Sequence, residues 1–169
     1  MSRSIHSAWR SNCGKYNVSI RRSCFDAMRR LAASHFPNEV GTSIVGSYSD
    51  DGNHAVLESL APVTSDSRGA RTSFYRGGSG LLEFFRSIFS SSRGRKHYVG
   101  EWHSHPGGQP WPSGTDDSNM LGIARDLTAK CPECILVIVA EHKEAAAEFG
   151  VFVYSRTRGR VILSRVDGA

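Results

Sequence analysis

The segment Gly100 to Asp117, GEWHSHPGGQPWPSGTDD, leaves the backbone few choices. YVGEW reads as a strand running into it, and on a strand residues two apart share a face. His103 and His105 therefore project together, while Ser104 points away. Pro106 cannot donate to a sheet ladder and ends the strand. GGQPWP then turns the chain until Ser113 and Asp116 arrive at a helix start. The segment predicts strand, turn and helix in that order, with two imidazoles and a carboxylate converging from its two ends.

Such a set is a three-ligand clamp. Borderline nitrogen and oxygen donors suit zinc, and three protein ligands leave a fourth tetrahedral position open, the mark of a catalytic rather than a structural site. An open zinc position generates a nucleophile from water near neutral pH and polarises a carbonyl. The chemistry then needs a general base, an unligated carboxylate within reach. Glu101 shares the strand face of His103 and His105 by the period-two rule. Glu39 is remote in sequence, where a first helix hands over to GTSIVG. Spacing leaves both open. A plainer account exists for half of the pattern: SGTD is also a capping box, with Ser113 at the N-cap and Asp116 complementing the helix dipole.

The rest of the chain supplies a scaffold of matching size. At 169 residues and 39% hydrophobic it is long enough for one core and short for two. Residues 1–14 carry no periodicity and are expected to form a flexible leader, with residues 15–169 as the single domain. YNVSI reads as a strand. In RRSCFDAMRRLAASHF, Cys24, Phe25, Met28, Leu31 and Ala32 fall on one helical face. GTSIVGSYS and HAVLESLAPV follow as strands around the turn SDDGN. A polar, glycine-rich stretch holds at most one more strand, at RTSFYR. LLEFFRSIF places Leu81, Phe84, Phe85, Ile88 and Phe89 at helical spacing, a stripe expected to be core. TDDSNMLGIARDLTAK predicts a helix, and CILVIVAEH, FGVFVYS and RVILSRV predict three strands, with Arg156, Arg158 and Arg160 exposed between the last two. The sum is α+β: a mixed, curved β-sheet flanked by helices.

Composition excludes some functions. No apolar run approaches the roughly 20 residues of a membrane span, and the N-terminal stretch lacks the apolar block of a secretory signal, which makes the cytoplasm the expected compartment. The four cysteines are too few for a disulfide scaffold; Cys131 and Cys134 form a CxxC that supplies only two corners of a metal site and is expected as free thiols at the start of a strand. The net charge of +5, with pI near 9.3, favours acidic partners without naming them.

With these residues in view, the chain resembles the JAMM, or MPN-plus, zinc metalloproteases of the JAB-domain type. Their signature is an upstream glutamate followed by His-x-His-Pro and, at fixed spacing, serine and aspartate; His103, His105, Pro106, Ser113 and Asp116 match it, and the order of elements is similar from about Tyr16 to Val166. The resemblance implies a single MPN domain, with His103, His105 and Asp116 binding one catalytic Zn2+, Glu39 as general base and Ser113 as a hydrogen-bond donor to the developing oxyanion. PNEVGTSIVG is similar to the family's glutamate segment, with Gly46 where expected, Thr42 in place of a usual glycine, and Gly41 one residue earlier.

YVGEWHSHP and PWPSGTDD are especially similar to bacterial proteins encoded beside ubiquitin-like conjugation machinery in antiphage systems. This implies a cytoplasmic bacterial isopeptidase, deubiquitinase-like, acting on a ubiquitin-like protein, its precursor or its conjugates, with cognate activating and conjugating enzymes as further partners. Two rivals are similar in signature: a RadC-like JAB protein associated with nucleic acid, and a non-catalytic MPN scaffold. The first lacks support in any helix-hairpin-helix segment or interleaved aromatic and basic face. The second typically lacks ligands that this chain keeps.

Overall fold

A computed structural model of the chain describes residues 4–166. Ten strands and three helices run in the order β1 (Ile5–Ser11), β2 (Asn17–Arg21), α1 (Arg22–His35), β3 (Gly41–Tyr48), β4 (His54–Leu60), β5 (Arg68–Ala70), β6 (Ser73–Tyr75), α2 (Leu81–Ser91), β7 (His97–Pro106), α3 (Gly114–Arg125), β8 (Glu133–Glu141), β9 (Glu148–Ser155) and β10 (Gly159–Val166). The mixed α and β class is as expected. The open curved sheet is not: eight strands close into a barrel in the order β1, β10, β9, β8, β7, β3, β4, β2.

Closure comes from the segment expected to be a leader. β1 pairs antiparallel with both β2 and β10, so Ile5–Ser11 is the stave that joins the two edges of the sheet. Its alternation, with Ser7, Trp9 and Ser11 buried, is period two but mostly polar, which hides it from a reading by hydrophobicity. Residues 1–3 and 167–169 lie outside the described residues.

β8 is buried on both faces, which explains its unbroken apolar run CILVIVA. Ile135, Val137 and Val139 join the core that receives Cys24, Phe25, Met28 and Ala32 of α1; Cys134, Leu136 and Ile138 face a second core with Met120 and Ala124 of α3. β7 and β8 are parallel, and α3 is the crossover between them. A helix that crosses between parallel strands starts just beyond the carboxyl end of the first one, where open α/β sheets bind ligands. Here that point is Pro106.

α2 departs from expectation. Only Leu81 is buried; Phe84, Phe85 and Ile88 are half-buried, and Leu82 and Phe89 are 58% and 54% exposed. The helix lies against β7 through the edge-on contact of Phe85 with Tyr98, and nothing among the described residues covers its outer side. An apolar stripe at helical spacing fixes a helix but not what packs on it. Among the described residues no helix is long and apolar enough to cross a membrane.

Candidate active site

Three ligand-capable side chains meet at the end of β7. His103 Nε2 lies 3.1 Å from His105 Nε2 and 3.3 Å from Asp116 Oδ1, and His105 Nε2 lies 3.8 Å from Asp116 Oδ2. Tetrahedral ligands about 2.0 Å from a zinc ion stand about 3.3 Å from one another. The set therefore fits a small tetrahedral cation, and among the described residues it is the only group of three or more His, Cys, Asp or Glu that could hold one. Cys131 and Cys134 are buried free thiols, their sulfurs 3.8 Å and 3.7 Å from the hydroxyls of Tyr48 and Tyr98.

Local contacts prepare each donor. His105 Nδ1 is 3.1 Å from the Gln109 carbonyl. A carbonyl only accepts, so Nδ1 carries the proton and Nε2 presents its lone pair, the orientation a metal ligand requires. Burial and the adjacent His103 keep the His105 imidazole below its ordinary pKa, hence neutral. For Asp116 burial opposes ionisation, but His103 and the Ser113 hydroxyl and backbone N–H outweigh it and hold the carboxyl far below the usual range.

Ser113 joins the two accounts that its sequence left apart. Its hydroxyl donates to Asp116 Oδ2 at 2.6 Å, its backbone N–H donates to the same oxygen at 2.7 Å, and Asp116 N–H donates back to the hydroxyl at 3.2 Å. This is a full capping box. It occupies Oδ2, while Oδ1 faces His103. One carboxylate both caps α3 and offers an oxygen to the cluster.

The two glutamates lie in different surroundings. Glu39 is half-buried in the segment between α1 and β3 and lines the same cleft of about 450 Å³ as His103, His105, Ser113 and Asp116. Burial lifts its carboxyl to about 7, with His103 opposing and Asp116 adding to the shift. The backbone of Glu39 and its neighbour Val40 is gripped on both sides. Ser104, the residue that points away between the histidines, accepts from Val40 N–H at 3.0 Å through its hydroxyl, and its own N–H donates to the Val40 carbonyl at 2.8 Å. On the other side Glu39 N–H donates to the Ala70 carbonyl at 2.8 Å, and Gly69 approaches so closely that a Cβ there would stand 1.9 Å from the Glu39 carbonyl oxygen. Ser104, Gly69 and Ala70 carry no catalytic signature in sequence, and only a Ser-to-Val40 contact across 64 residues reveals the first.

Glu101 does share the histidine face of β7, but it lies in a neighbouring cleft. Its carboxylate is 3.1 Å from the Arg76 guanidinium and accepts from the hydroxyls of Tyr98 at 2.9 Å and Ser43 at 3.2 Å. Burial lifts its pKa, and Arg76, Tyr98 and Ser43 pull against that. The ring of Phe74, on the short β5–β6 hairpin, lines both clefts, which share His103 and Asp116. The hairpin is thus a wall of the site, held by Glu39 at Ala70 of β5 and by Glu101 at Arg76, just past β6.

The arginines expected to be exposed are not all free. Arg158 is exposed, whereas Arg156 donates to the Ala124 carbonyl at 2.9 Å and Arg160 donates to both oxygens of Asp117.

Known proteins resemble this chain in fold and in sequence. The solution structure of a protein from Desulfitobacterium hafniense superimposes with a TM-score of 0.57 at 16% identity, covering 88% of this chain and 89% of that one, a likeness of fold alone. A Sinorhizobium fredii protein named "Probable metalloprotease y4qB" is 27% identical over 151 residues, 89% of this chain and 91% of that protein. A "CD-NTase/cGAS isopeptidase" of Enterobacter hormaechei is 35% identical over 124 residues, 73% of this chain and 67% of its own length. The family described as prokaryotic homologs of the JAB domain matches residues 21–152, a span that holds Glu39 and the whole His103, His105 and Asp116 cluster, and the chain belongs to that family.

Proposed function

We propose that the chain is a zinc-dependent peptidase that hydrolyses the peptide or isopeptide bond following the C-terminus of a ubiquitin-like modifier, in the cytoplasm of a bacterium and as part of an antiphage conjugation system. The observation that carries this reading is the convergence, on one cleft, of three metal-capable donors with an unpaired glutamate whose carboxyl is lifted to about 7.

His103, His105 and Asp116 would hold the ion, which supplies Lewis acidity toward water and the scissile carbonyl. Glu39 accepts a proton from the attacking water and returns it to the departing amine; a carboxyl poised near neutrality serves both directions. Ser113 keeps Asp116 in place through the capping box and stands at the cleft wall, where its hydroxyl can turn to the developing oxyanion. Hydrolysis proceeds without a covalent enzyme intermediate.

The substrate reading rests on shape. β6 of the β5–β6 hairpin pairs with no third strand among the described residues, and an extended tail adding along Ser73–Tyr75 would pass Phe74 to the metal. Exposed Tyr75, Leu82 and Phe89 offer apolar surface suited to the body of a small protein. The Enterobacter relative's name pairs an isopeptidase with a CD-NTase/cGAS protein, and we take a protein of that class as the conjugated target.

The test is single-turnover cleavage of a ubiquitin-like fusion and of a lysine conjugate, with zinc measured on the same samples. Zinc-dependent cleavage after the modifier's last residue is expected. A chain loaded with stoichiometric zinc that cleaves neither substrate, alone or with the cognate conjugation proteins, would sink the proposal.

A further inference from the structure

The metal-capable cluster is drawn from two elements. His103 and His105 belong to β7, whereas Asp116 stands in the first turn of α3, beyond a loop of glycines and prolines. Ser113 holds the Asp116 carboxylate locally, and contacts from the far end of the chain reach the same turn through its neighbour.

Asp117, the neighbour of Asp116, faces β9 and β10. Arg160 Nη1 donates to its Oδ1 at 3.0 Å and Oδ2 at 2.7 Å, and the Tyr154 hydroxyl donates to Oδ1 at 2.5 Å. The Arg160 guanidinium also stacks over the Trp111 ring at 5.1 Å, and Trp111 meets the buried Phe152 edge-on, with ring centroids 5.3 Å apart. Gly150 admits the loop so closely that a Cβ there would stand 2.0 Å from the Pro110 carbonyl oxygen. Loop and first turn are thereby fastened to the C-terminal hairpin. Consecutive residues on a helix point about 100° apart, so fixing Asp117 against the strands fixes the direction of Asp116.

We propose that Arg160, acting through Asp117, is a positioning residue for the metal: it holds the first turn of α3 so that the Asp116 carboxylate stands ready beside His103 and His105 before an ion arrives. The inference rests on reading His103, His105 and Asp116 as the metal site. Groups that hydrogen-bond directly to metal ligands are worth about 10- to 100-fold in metal affinity, and Arg160, one residue further out, is expected at the low end of that range. A surface ion pair with no such role would leave metal affinity untouched.

The test is zinc affinity of the full chain, stripped of metal and titrated in competition with a chromophoric chelator, beside thermal unfolding of the same metal-free samples. Arg160→Met is expected to bind zinc about 10-fold more weakly or worse, Arg160→Lys to recover most of that loss, and Asp117→Asn to match Arg160→Met. The double variant should be no weaker than either single one, because both break one link. Should Arg160→Met not fold, Asp117→Asn and Arg160→Lys carry the same comparison. Folded variants that bind zinc as tightly as the parent overturn the proposal and leave the metal site standing. So does a loss of affinity in Arg160→Lys as large as in Arg160→Met when it tracks a general loss of thermal stability. A parent chain that takes up no zinc overturns both the proposal and the metal-site reading.

Discussion

Glu39 and Glu101 both approach His103, and they differ in what surrounds them. Glu101 reaches the histidine face by strand periodicity alone, then loses its freedom to a guanidinium and two hydroxyls. Glu39 arrives from a separate segment, its own N–H pinned on Ala70 and its neighbour Val40 pinned on Ser104, and its carboxyl makes no hydrogen bond or ion pair among the described residues. A general base needs an available lone pair at an adjusted pKa, not mere nearness. The saturated glutamate fastens a wall of the site, and the unsaturated one is the glutamate we propose as the base.

The comparison breaks most sharply at the ligands. His103→Ala or Asp116→Ala should abolish zinc binding and with it measurable cleavage, while the fold persists on its two cores; elemental analysis and circular dichroism check both. Full zinc occupancy in His103→Ala would show the donor set to be misassigned. Glu39→Gln should keep zinc and substrate binding and lower the single-turnover rate by about 10²- to 10⁴-fold, the usual worth of a positioned base.

Glu101→Gln should keep zinc and hold the rate within about tenfold, since the residue touches no reacting atom on this reading. Its cost belongs to stability: loss of the charge opposite Arg76 and weakened acceptance from Tyr98 and Ser43 should lower unfolding free energy by about 1 to 3 kcal/mol, measured in urea. A dead, zinc-loaded Glu101→Gln beside a normal Glu39→Gln would reverse the assignment.

A further effect concerns pH. A carboxyl raised to about 7 in the folded chain holds its proton more tightly than it does unfolded. The resulting penalty on the metal-free fold is absent below about pH 4, grows through the window up to about 7, and is complete above it. Glu39→Gln removes that penalty, so its stability relative to the metal-free parent should rise with pH across the window. A difference that stays flat from pH 4 to 8 would mean that Glu39 is solvated like an ordinary surface acid.

Legibility followed the range of the forces involved. His103 and His105 converge because a strand alternates its faces, and Ser113 and Asp116 meet because a capping box spans three residues; such local geometry is written in adjacent letters. The α1 face was equally readable, as Cys24, Phe25, Met28 and Ala32 are buried as their spacing implies. Barrel closure by Ile5–Ser11 was not, because a strand that alternates serine with tryptophan gives hydropathy little contrast and pairing is decided by edges far away in sequence. The same holds for α2, whose apolar stripe specifies a helix but leaves its exposed side to whatever the rest of the fold does not supply.

By itself, then, the sequence determined the chemistry of the donors and the short elements that carry them, since residue type and periodicity act over a few bonds. Only the tertiary structure decided which glutamate stands free in the cleft, that Arg160 grips Asp117 rather than solvent, and that the sheet closes. Each of those depends on segments distant in the chain meeting, as Arg160 and Asp117 do across 43 residues and Val40 and Ser104 across 64, which no local pattern encodes.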